Sequence, residues 1–204
     1  PVIEKKSVNN IMIALYAFVV ISFFITIVDI IIRFPLQSEM IDYNDIQAIV
    51  INVLALLIQI FFFAYGFVNA IRGMLSPKRM GAVIVAFFAA TCITGTGNMV
   101  INSNVQIVLW WIVLIIPNIV GAVATFAYFV SGKKSKIYSI MIYLVTIWGM
   151  FRIIYSNYNL IVHANQYLSM NSTVRLVLEI AIHCLVIYQT YVLWIKRQNA
   201  IDIS

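Results

Sequence analysis

The sequence predicts an all-α polytopic membrane protein, a bundle of about six transmembrane helices with both termini cytoplasmic. Three observations carry that prediction. Hydrophobic residues make up 63% of the 204 residues and charged residues only 10%, against roughly 25% charge in soluble domains, so the chain cannot cover a globule with polar surface. Six apolar runs approach or exceed the roughly 20 residues needed to cross a bilayer. Lysine and arginine fall in alternate short connections between those runs. The length suits one bundle, read as a single transmembrane domain over residues 1–204.

In chain order the spans are 11–32, 46–71, 81–101, 105–130, 137–155 and 174–195. The first follows Lys5 and Lys6, as a secretory signal would, but it outruns the usual apolar core of a signal peptide and no small-residue cleavage site follows it. It is expected to remain in the protein. In the second span Gly66 and Ala70 form a small-residue face, as do Ala82, Ala86 and Ala90 in the third; such faces let helices approach closely and predict packing. The third span carries Gly95, Thr96, Gly97 and Asn98, read as a helix end broken by glycine. Trp110 and Trp111 open the fourth, where an aromatic belt belongs. Pro117 lies inside it; proline has no N–H, so it leaves a carbonyl for a neighbouring helix to satisfy.

Orientation follows from the distribution of bases. Lys5 and Lys6, then Arg72, Lys78 and Arg79, then Lys133, Lys134 and Lys136, and finally Lys196 and Arg197 all fall on one side. The other three loops hold a single base, Arg33. That pattern puts the basic side in the cytoplasm and predicts a multi-pass protein of the plasma membrane. The net charge of +6 is therefore a topology signal rather than a continuous basic face, and nucleic acid is not an expected partner. The lipid bilayer is.

With direction assigned, polar residues in the spans collect in the outer half. Arg175, Glu179 and His183 are four apart on the sixth span, a spacing that puts them on one helix face. Arg152 lies in the outer third of the fifth span, Asp29 and Arg33 at the outer end of the first, Asn52 and Gln59 in the second, and Asn98 at the end of the third. A charge inside a span costs about 2.5 to 3.5 kcal/mol on insertion scales, so these groups should face one another or a wet cavity. Three bases and two acids leave a guanidinium to spare, and its planar fork suits a carboxylate or phosphate. All nine residues are candidate ligand-binding positions. The competing reading makes them intramembrane pairs that hold helices together, with His183 a helix-helix hydrogen bonder rather than a proton relay.

Enzyme chemistry is not expected. The chain has no H-E-x-x-H or G-x-S-x-G motif, so no catalytic residue and no metal ligand is assigned. Bis-imidazole haem ligation needs two opposed histidines, and the second one here, His163, falls in an outer loop; no cofactor is expected. Cys92 and Cys184 lie in apolar runs and read as small hydrophobes. In outline, with six spans, both termini inside and outer polar residues, the chain resembles the substrate-binding S components of energy-coupling-factor transporters. Those components carry an alanine-spaced docking face on their first span; here span one has Ala14 and Ala17, and the regular stripe is on span three. The resemblance implies a transport component that binds a small solute, with an anion as the natural complement of a spare guanidinium, and works with other membrane protein chains. The alternative is a non-catalytic membrane subunit of a larger complex, its buried charges used for helix docking.

Overall fold

The computed structural model describes residues 2–37, 43–101, 109, 111–133, 135–158 and 170–201. Among the described residues the only regular secondary structure is helical. Helix α1 is Val2–Gln37, α2 Tyr43–Ile71, α3 Pro77–Ile101, α5 Lys136–Ser156 and α6 Met170–Ile201. Between α3 and α5, the segments Trp111–Ile115, Ile116–Thr125 and Phe126–Val130 follow one another as π, α and π turns of one helix, α4. All six helices contain a stretch long and apolar enough to span a membrane. Helices α1 and α6 run well beyond those stretches at both ends.

Consecutive helices pack against one another, and α6 returns to α1, which closes a ring. Helices α3 and α6 also meet across its centre. Burial follows from this arrangement: 50% and 56% of the apolar stretches of α3 and α6 are buried, against 22% for α5, so α3 and α6 are the inner pair and α5 the outermost member. The core joins Tyr16 and Phe23 of α1, Phe63 of α2, Phe87 and Phe88 of α3, Tyr128 and Phe129 of α4, Ile142 of α5 and Leu185 of α6. Ala86 and Ala90 are buried on α3 and Ala70 on α2, consistent with small residues used for close packing.

The glycines of the third span do not break the helix, contrary to the reading of that segment as a helix end: α3 continues through Gly95 to Ile101. A Cβ at Gly95 would overlap the Leu114 side chain of α4. The glycine serves the approach of two helices, a use that looks the same in sequence as a helix stop.

Polar side chains inside the helices mostly bond to their own backbone. Thr26, Asn69, Thr91, Thr96, Asn118, Thr125, Thr146, Asn157 and Thr190 each donate to the carbonyl four residues earlier, at 2.6–2.9 Å. In an apolar medium an unpaired hydroxyl or amide costs several kcal/mol, and the carbonyl one turn back is the acceptor always in reach. At the turn between α2 and α3, Arg79 instead ties the connection, donating to Asn69 Oδ1 at 2.8 Å and to the Met74 carbonyl at 2.7 Å.

Pro117 is handled in two ways. The α segment starts at Ile116, so the proline falls where α4 changes from π to α turns, and its fixed φ suits the start of the α segment. The carbonyl four residues before it, that of Val113, then lacks its α-helical donor, and the indole Nε1 of Trp148 on α5 donates to it at 2.9 Å. One proline thus joins α4 to α5. Trp148→Phe is expected to cost about 1–3 kcal/mol by orphaning this carbonyl, and Pro117→Ala in the same chain should recover most of the loss by restoring the helical donor. Thermal unfolding of the four chains in detergent measures the coupling; equal losses from Trp148→Phe in the two backgrounds would refute it.

Candidate functional site

The candidate residues fall on α1, α2, α3, α5 and α6, and the closed ring makes α5, α6, α1 and α2 four consecutive neighbours. The side chains of Asp29, Arg33, Asn52, Asn98 and Arg175 lie outside the described residues. Gln59 is partly buried on α2, and among the described residues α2 touches neither α5 nor α6. The described candidates that come together are Arg152, Glu179 and His183, at the α5–α6 contact.

These two helices run antiparallel, so one register sets every facing pair. Gly149 lies opposite His183, since a Cβ there would overlap the imidazole at Nε2. Arg152 is three residues after Gly149 on α5 and Glu179 four residues before His183 on α6, so the antiparallel register set at Gly149 brings the two charged positions to the same level one turn further along. Arg152 is half-buried and Glu179 exposed. Arg175 is four residues before Glu179, so its Cα falls on the same face of α6, one turn nearer the helix start. The stripe therefore runs from an imidazole in the middle of the bundle to charged groups near one end.

His183 is 5% exposed and bonded within its own helix, its Nδ1 lying 2.6 Å from the Glu179 carbonyl oxygen. A carbonyl only accepts, so Nδ1 carries the proton and Nε2 is the acceptor of the neutral ring. The ring also meets Phe87 of α3 edge to face, centroids 5.2 Å apart and planes at 85°. His183 is thus the point where α3, α5 and α6 touch. Its packing favours the structural role over proton transfer.

Gly149 and Phe87 were absent from the sequence-level site. A glycine in mid-span is a signal of close helix approach, but the side chain that fills the space is set by the register of a partner helix. A second polar contact escaped as well. Gln189 of α6, fully buried, donates through Nε2 to the hydroxyl of Tyr16 on α1, while its Oε1 is the one buried side-chain oxygen or nitrogen without a partner among the described residues. This pair lies in the half of the bundle near the basic loops, so polarity inside the spans is less one-sided than the ionisable groups alone suggest. Which face of α6 meets which face of α1 is set by the register of the two helices, so the sequence gives no sign that Gln189 and Tyr16 pair.

Compared with known protein families, curated proteins and solved structures, the chain matches none. The site is therefore described by its own geometry. Gly149→Ala is expected to destabilise the protein by about 1–3 kcal/mol through overpacking, with His183→Ala in the same chain relieving most of the loss. Unfolding in detergent tests the pair, and additive losses would show that the two positions are not in contact.

Proposed function

We propose that the chain is an integral membrane transport component, with both termini in the cytoplasm, that takes a small anionic solute at an outward-facing polar face shared by α5 and α6. One observation carries the reading: a half-buried guanidinium, Arg152, lies one turn from Gly149, the residue that receives the buried His183, and level with Glu179 on the facing helix. Intramembrane charge is expensive to keep and by default marks a binding site or pathway. The spans carry three arginines, Arg33, Arg152 and Arg175, against two acids, Asp29 and Glu179, and a carboxylate or phosphate suits the spare guanidinium because it balances its charge and accepts paired hydrogen bonds. Asp29, Arg33, Asn52 and Gln59 on the next two helices of the ring, with Asn98 on α3, are the positions that would complete such a pocket. The outline resembles the S components of energy-coupling-factor transporters, which rely on other chains for energy, and the same dependence is proposed here, in the plasma membrane.

The purified protein should carry a small anion detectable by mass spectrometry of its extract. Arg152→Ala or Arg175→Ala, each removing charged hydrogen bonds worth about 1.5–3 kcal/mol, should lower its occupancy roughly 10- to 100-fold while protein stays in the membrane. Unchanged occupancy in both variants would eliminate the pocket. For orientation, single cysteines introduced at Lys133 and at His163 in a chain lacking Cys92 and Cys184 should react from opposite sides; labelling from the same side contradicts the topology.

A second reading, a non-catalytic subunit of a larger membrane complex, draws on the outer face of α5. Trp148, Phe151 and Tyr155 stack along it, centroids 5.9 and 6.2 Å apart, and all three are exposed. On this reading the arginine variants release the chain from co-purifying partners instead of emptying a solute site.

A further inference from the structure

An apolar groove of about 180 Å³ lies between α4 and α5, lined by Ile119, Val120, Val123 and Ala124 on one side and Tyr138 and Met141 on the other. It faces outward, because Ile119, Val123 and Met141 are all exposed. Its lining begins two residues into α5 and reaches down α4 to Ile119, twelve residues before the turn at Ser131. The α4 lining itself, Ile119 to Ala124, covers about 7.5 Å at 1.5 Å per residue, long enough for a segment of one acyl chain.

The mouth of this groove is basic. The connection Ser131–Lys136 contains Lys133, Lys134 and Lys136 and no acid. The Lys133 Nζ sits over the Tyr138 ring, 5.8 Å from its centroid, so the tyrosine that lines the groove also holds a cation at its opening. Lys136 begins α5, is exposed, and follows the N-cap Ser135; helix N-termini favour negative charge through their free N–H groups. A bare apolar furrow would suit any lipid chain or a neighbouring helix. Lys133 on the lining tyrosine, with Lys136 two residues before that tyrosine, selects among them.

We infer that the α4–α5 groove is a binding site for an anionic phospholipid, one acyl chain lying in the furrow and the phosphate held by Lys133 and Lys136. Each lysine near a membrane surface is worth about fivefold in preference for an anionic headgroup at moderate salt, so two predict a preference of roughly 10- to 25-fold.

Native mass spectrometry of the protein in detergent, titrated with phosphatidylglycerol or with phosphatidylcholine of the same acyl chains, tests this. Phosphatidylglycerol should bind at least tenfold more tightly. Replacing Lys133 and Lys136 together by Gln should bring the two lipids within about twofold of each other, and Val123→Trp, at an exposed position, should weaken both by filling the furrow. Lipid-free unfolding temperatures of the variants serve as the check on folding, and a chain that unfolds early is replaced by Val123→Phe or by the single lysine variants. Equal binding of the two lipids by the unaltered protein, or a preference that survives loss of both lysines, overturns the inference. So does a dimer in detergent that Val123→Trp converts to monomer with lipid binding unchanged, since a second copy then occupies the groove.

Discussion

The structure depends on one constraint: a polar group inside an apolar helix must find its hydrogen bond without water. Threonine and asparagine meet it locally, and nine of them turn back to the carbonyl one turn earlier in their own helix. Because these bonds are closed within a helix, they do not choose neighbours. Helix association then falls to shape and to the few groups that cannot satisfy themselves.

Those few groups join the ring. The proline-orphaned carbonyl of Val113 draws the Trp148 indole from α5 to α4, and Gln189 with Tyr16 joins α6 to α1. Arg79 closes the turn between α2 and α3. Between α5 and α6 the contact is steric at Gly149, with Arg152 and Glu179 level one turn further along. Each contact lies between different members of the ring, so together they mark four of its six neighbour pairs. Apolar matching, with lipid as good a solvent as leucine, selects neighbours only weakly.

The same constraint separates two kinds of polar residue at the α5–α6 contact. His183 is bonded to its own helix and wedged between Phe87 and Gly149, which leaves it little freedom to exchange a proton with solute. Arg152 and Glu179 belong to a more open contact, one half-buried and the other exposed. The stripe Arg175–Glu179–His183 therefore has a packed inner end and a charged outer end, and the proposed ligand chemistry belongs to the outer one.

Six helices, their approximate limits and the distribution of charge along the chain are legible in the sequence because each depends on local properties: run length, hydropathy and the lysines of short loops. The need for a donor to the carbonyl before Pro117 is legible for the same reason, since the missing N–H is a property of one residue. That Trp148 supplies the donor, that Gly95 admits Leu114 instead of ending α3, and that Gly149 receives His183 were decided by the tertiary structure. These contacts depend on the register and rotation of one helix against another. A helix of uniformly apolar sequence presents similar faces all round, so its orientation is settled only when the ring closes.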